Sequence, residues 1–137
     1  MIMKNGILIS VVAALSLAAC DEAVEAPVVE EKLGDYSALG TEPGWAAQIK
    51  GDQIIFATME GNDFTLAVQR MKKTDAGWEV KGFSDVDNIN IYISTGVECS
   101  DGMSDRTYAD TVKVEASRSG TLNGCGGDFT EGPDGAP

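Results

Sequence analysis

The chain has 137 residues, 43% of them hydrophobic, and carries 22 acidic against ten basic residues, a formal net charge of −12. It contains no histidine. The charge excludes nucleic acid as a partner, because phosphate binding is driven by clustered Lys and Arg. The missing imidazole excludes Ser-His-Asp and Cys-His catalysis and histidine-ligated zinc.

Residues 1–19 read as a lipoprotein signal peptide. Lys4 gives a positive start, Ile7 to Leu15 give an apolar run, and small residues lead to Cys20. The run is shorter than the roughly 20 apolar residues of a comfortable membrane span. "LAAC", Leu17 to Cys20, resembles a bacterial lipobox. That resemblance implies cleavage before Cys20, acyl chains (palmitate among them) on that cysteine, and a tether to a Gram-negative membrane facing the periplasm. The alternatives are an ordinary secretory signal and an N-terminal anchor helix. Asp21, next in line, resembles an inner-membrane retention signal of enteric bacteria, a rule that is not general, so inner and outer membrane both stay open. Loss of Lys4 leaves nine basic against 22 acidic residues, a net charge of −13. The lipid, rather than attraction to anionic headgroups, must then do the anchoring. A basic partner would be steered toward such a surface, although solubility or a salty habitat explains the same charge.

Residues 20–35 are acidic, rich in Ala and Val and broken by Pro27, which reads as a lipidated cysteine followed by a charge-extended tether. A short amphipathic segment over Val28 to Leu33 is the alternative. Residues 36–130 form one β-domain, within the size range of a single core. Its pattern is period two: Trp45, Ala47, Ile49; Ile54, Phe56; Phe64, Leu66, Val68; Trp78, Val80; Ile89, Ile91, Ile93; then Tyr108, Val112, Val114 and a last short run at Leu122. Turn chemistry separates the runs at Lys50 to Asp52, Glu60 to Asp63, Thr74 to Gly77, Ser84 to Asn88 and Ser117 to Gly120. No helical period or repeat is visible. The pattern predicts an all-β fold, a small antiparallel meander of six to eight strands closed into a barrel or sandwich. Residues 131–137 are a polar Gly/Pro tail with nothing to bury.

With Cys20 lipidated, two cysteines remain in an oxidising compartment, and an even pair there reads as one disulfide. Closing a loop of about 27 residues contributes roughly 3–4 kcal/mol through the unfolded state. A reactive or metal-binding pair is the alternative. The glycines of "NGCGGDF" open no helix and read as a turn with tight packing near Cys125. "CSDGMSDRTY", Cys99 to Tyr108, is the densest group of reactive side chains. Asp101 can bond its own backbone, Gly102 can take a positive φ, and Asp105 and Arg106 can pair with backbone or each other. Met103 can plug the barrel end or stand out as a contact. The stretch reads as a structural corner that can double as a binding rim. "DVDNIN" from Asp85 lacks the glycine and glutamate of an EF-hand. A looser cage from Asp85, Asp87, Asp101 and Asp105 would need loops that bring them together. No metal or cofactor is expected.

"GTEPGW" (Gly40 to Trp45), "CSDGMSDRTY" and "LNGCG" (Leu122 to Gly126) resemble a family of small bacterial envelope lipoproteins, similar in style to the META/HslJ-type β-domains. The likeness runs from about Leu39 to Cys125, and Gly44 stands where that family usually has an aromatic. It implies a β-fold with Cys99 bonded to Cys125 and no particular reaction. The expected function is therefore binding rather than catalysis, by a lipid-anchored periplasmic accessory lipoprotein. Glu42, Trp45, Asp101, Met103, Asp105, Arg106 and Tyr108 are its candidate contacts. One alternative is an inhibitor of a basic cell-wall hydrolase such as c-type lysozyme, using Glu42, Asp101, Asp105 and Tyr108. Sibling envelope lipoproteins with small barrels inhibit that enzyme, although the "KY"-like loop of those inhibitors has no convincing counterpart here. Another is a small-ligand or envelope-stress domain with a pocket of Trp45, Trp78 and Met103. The last is a histidine-free glycosidase using Glu42 and Asp101 as its acid pair.

Overall fold

The computed structural model describes residues 31–133; the expected signal peptide, Cys20, the tether up to residue 30 and the tail from residue 134 lie outside the described residues. Every period-two run within them becomes a strand, because alternate β-branched and aromatic side chains can be buried on one face of a pleated ribbon. In chain order the strands are β1 (Tyr36–Thr41), β2 (Gly44–Lys50), β3 (Gln53–Thr58), β4 (Phe64–Lys73), β5 (Gly77–Phe83), β6 (Asn88–Ser94), β7 (Cys99–Ser100), β8 (Thr107–Ala116) and β9 (Gly120–Thr130). The described residues contain no helix.

Strands β1 to β6 pair antiparallel in sequence, β6 pairs β8, β8 pairs β9, and β9 returns to β1. This closes an eight-stranded barrel and sets aside the sandwich alternative. The two-residue β7 pairs with β8 at Tyr108 and Thr107, beyond the end of β6. An eight-stranded barrel has an interior just wide enough for side chains to fill. Here Ile49, Ile54, Phe56, Val80, Ile89, Ile91, Val112 and Val114 fill it, each almost wholly removed from water. Leu33, ahead of β1, packs against this core with Val68 and Met71 at the end where the chain enters. Near the other end, Asp87 in the β5–β6 loop takes a bidentate bond from Arg118 of the β8–β9 turn, at 2.6 and 2.7 Å.

Two elements depart from the sequence expectation. β1 was not marked by any apolar alternation, and the "NGCGGDF" glycines lie within the eleven-residue β9 rather than in a turn. One cause accounts for Gly40 on β1 and Gly124 on β9. The Trp45 ring needs space that side chains on β1 and β9 would occupy. A Cβ on Gly40 would fall 2.0 Å from Trp45 Nε1, and one on Gly124 would fall 2.0 Å from the Leu39 carbonyl oxygen and 2.7 Å from Trp45 Cζ2. Close packing was correctly expected at this point; the turn was not. β9 also carries a bulge, with Gly127 and Asp128 lying between the residues opposite Tyr108 and Asp110. Gly127 takes φ +77° there, a conformation that favours glycine.

Candidate functional site

The segment from Cys99 to Arg106 crosses the outer face of β9 as a strap. It starts paired to β8, is bonded through Cys99 to Cys125 on β9, and reaches β1, where the Thr41 hydroxyl donates to the Asp101 carbonyl at 2.8 Å. The Cys99–Cys125 pairing implied by the family resemblance is thus present. Cys125 points outward from the barrel yet is only 1% exposed, consistent with its position beneath the strap.

The strap is ordered by its own polar side chains. Asp101 Oδ1 accepts from the Met103 and Ser104 amides at 2.9 and 2.8 Å, and Oδ2 accepts from the Ser104 hydroxyl at 2.8 Å. These bonds, the Ser104 amide's first and the Met103 amide's next, hold the Asp101 carboxyl below the usual carboxylate range. Gly102 takes φ +74° at the bend. Ser104 Oγ accepts from the Arg106 amide at 3.3 Å. Arg106 leaves the strap over the Phe129 ring, 4.6 Å from its centroid, and pairs with Glu131. That pairing raises the guanidinium's already high pKa. What the strap offers to solvent is Met103, 72% exposed, with Asp105 exposed two residues on.

The candidate contacts divide accordingly. Met103 and Asp105 are exposed, and Asp101 and Arg106 are partly so. Glu42 is exposed in the β1–β2 turn, next to Thr41 that holds the strap. Trp45 and Tyr108 are corrected: both are at most 5% exposed and support the fold. Trp45 donates through Nε1 to the Asn123 carbonyl at 3.2 Å, and Tyr108 packs on Phe129 with ring centroids 5.6 Å apart. The pocket of Trp45, Trp78 and Met103 does not form, since both tryptophans belong to the core while Met103 stands in solvent. Asp87 and Asp101 are committed to Arg118 and to the strap. Among the described residues no three acidic or cysteine side chains converge on a point that could hold a metal ion.

Sequence reasoning missed Asp110. It occupies an inward position between Tyr108 and Val112 on β8, is 7% exposed, and has no basic partner within ion-pair distance among the described residues. Its oxygens accept from the Tyr36 hydroxyl and the Gly96 amide, both at 2.9 Å. Burial, followed by donation to this carboxylate, raises the Tyr36 pKa far above its ordinary value. The signal was an aspartate within an apolar alternation, which needs internal donors to be buried. Asp110 borders an open depression of about 790 Å³, lined also by Asp35, Tyr36, Ser37, Asp128 and Phe129. Phe129 joins this acidic depression to the strap through its contact with Arg106.

No family model, no curated protein and no solved structure matches the chain.

Proposed function

We propose that the chain is a lipid-anchored envelope domain that works by binding a basic protein through the strap and the acidic depression beside it. The observation that carries this reading is the way Met103 is presented. The disulfide, the Asp101 bonds and the Thr41 anchor fix the backbone beneath a large apolar side chain that has no core to enter. Little ordering entropy then remains to be lost when a partner covers it. Acidic groups lie on the strap and in the depression that Phe129 joins to it: Asp105 on the strap, and Asp35, Asp110 and Asp128 around the depression. Charge of one sign on this flank speeds encounter with a basic partner, while the apolar contact slows its release.

Asp101 is unsuited to the acid role of a glycosidase pair. A glycosidase acid must hold a proton near neutral pH. Asp101 instead has all its described bonds as an acceptor and a lowered pKa.

The partner class is a basic cell-wall hydrolase, with c-type lysozyme as the first candidate. The test is lysozyme binding and activity with the full chain, at low and physiological salt, against a Met103→Ser, Asp105→Ala variant. Both side chains are exposed, so the variant is expected to fold as the parent does. Inhibition at physiological salt that the variant loses supports the reading. Binding confined to low salt, with activity unchanged, reduces it to charge attraction and sinks it.

A further inference from the structure

Closure of the barrel leaves part of one strand unpaired. β3 pairs with β4 only from Phe64 to Ala67, with one further bond from the Val68 amide to the Asp52 carbonyl at 2.7 Å. β5 continues along the other side of β4 as far as Lys73. Gln69 to Lys73 therefore overhang the β2–β3 turn, an edge about 16 Å long at 3.3 Å per residue. The register identifies the free groups. Thr74 and Gly77 exchange both backbone bonds at the β4–β5 turn, so Lys72 and Arg70 also bond toward β5. In an antiparallel ladder the residues between them point the other way. Met71 and Lys73 thus aim their N–H and C=O groups along the unpaired edge, and no backbone bond reaches them from that side among the described residues.

This edge forms one wall of an open groove of about 860 Å³. The opposite wall is the segment from Glu31 to Asp35, and Val68 and Met71 also line the groove. Arg70 and Lys72 are exposed and, among the described residues, have no ion-pair partner. Lys73 already holds a carboxylate, that of Glu31, at 2.6 Å.

We propose that this groove is a second binding site, which takes an extended peptide of alternating acidic and apolar residues as an added strand on β4. Backbone pairing to Met71 and Lys73 supplies affinity. Side chains of the peptide that face outward meet Arg70 and Lys72, which selects acids. Those facing inward meet Val68 and Met71, which selects apolar residues. The site's β4 wall lies opposite β9 around the ring of strands, away from the strap, while Asp35 borders both this groove and the acidic depression.

The experiment uses the full chain and a labelled hexapeptide alternating Glu and Val, followed by fluorescence anisotropy and amide hydrogen exchange. Expected are saturable binding and new protection at the Met71 and Lys73 amides. Methylating the peptide's pairing backbone nitrogens should weaken binding roughly tenfold, since one or two backbone bonds are lost. An Arg70→Gln, Lys72→Gln variant should weaken it similarly and flatten its salt dependence. Equal binding of the methylated peptide, or of a Lys/Val peptide, would overturn the proposal. So would absence of binding, in which case the cations merely keep the edge from pairing. Protection of both amides before peptide is added would overturn it too, because the edge would already be filled by the chain itself.

Discussion

Replacing Gly124 by alanine tests the central packing relation of the barrel. The new Cβ would fall 2.0 Å from the Leu39 carbonyl oxygen, 2.7 Å from Leu39 C and 2.7 Å from Trp45 Cζ2. None of these atoms can yield easily. Leu39 is paired to Cys125 in the β1–β9 ladder, and the Trp45 ring is 4% exposed and tied to the Asn123 carbonyl. Added methylenes in well-packed cores cost about 1–3 kcal/mol even where neighbours can shift. A backbone neighbour puts Gly124→Ala at the top of that range or above. For a domain of this size each kcal/mol lowers the melting temperature by roughly 4–8 °C, so a fall of about 12 °C or more is expected. Urea and thermal unfolding of the parent and variant measure it. A companion Trp45→Phe change removes the clash with Cζ2 but not that with Leu39. The double variant should therefore lose less than the sum of the singles. A Gly124→Ala cost below about 1 kcal/mol would refute the reasoning, because β1 and β9 could not then approach as closely as described.

Three further outcomes follow from the buried polar groups and the disulfide. Arg118→Ala should cost more than Asp87→Ala: the first leaves a carboxylate that is 5% exposed without its partner, the second leaves a guanidinium that is 46% exposed and easily hydrated. Equal costs in urea unfolding would count against this asymmetry. A Cys99→Ser, Cys125→Ser variant should lose roughly 3–4 kcal/mol and show faster hydrogen exchange at the Met103 and Ser104 amides; unchanged exchange would mean that the Asp101 bonds alone hold the strap. For Tyr36 the folded pKa lies above the unfolded one. Its contribution is therefore complete below about pH 10, where the unfolded tyrosine titrates, and is lost as pH rises beyond it. Tyr36→Phe should flatten that alkaline decline, and an unaltered slope would contradict the Tyr36–Asp110 bond.

The parts of the fold legible in the sequence were those whose packing is carried by large side chains. Ile89, Ile91 and Ile93 announce a half-buried strand without reference to anything else. β1 and β9 were obscured because their inward positions include Gly40, Gly124 and Gly126, whose role is to make room for Trp45 and Tyr36 on other elements. A glycine that serves a distant ring is indistinguishable in sequence from a glycine that serves a turn. The strap shows the same limit in reverse. Its turn chemistry, at Asp101 and Gly102, is local and was readable. That Met103 stands exposed depends on where the strap crosses β9, which no local pattern encodes, whereas the burial of Tyr108 follows its place in the alternation with Val112 and Val114. Asp110 was visible only as an anomaly, since its donors, Tyr36 and the Gly96 amide, come from elsewhere in the chain.

Net charge alone does not say where the charges lie, and the structure supplies that distribution. Arg70, Lys72, Lys73 and Lys81 all lie on β4 and β5, and only Lys81 and Lys73 are neutralised, by Glu79 and Glu31. Asp101, Asp105, Asp110, Asp128 and Glu131 lie on the strap, β8, β9 and the residue just beyond, with Arg106 paired to Glu131. The two groups occupy opposite sides of the ring of strands. Such separation orients a molecule in the field of a charged partner before contact, and it weakens over a Debye length of about 8 Å at physiological salt. Binding at the strap should then speed up as salt is lowered for a basic partner, whereas an acidic peptide should show its own salt dependence at β4. Neutralising Arg70 and Lys72 should leave the first association rate nearly unchanged. If it alters both rates alike, the domain acts through its total charge, and the separation of faces has no functional content.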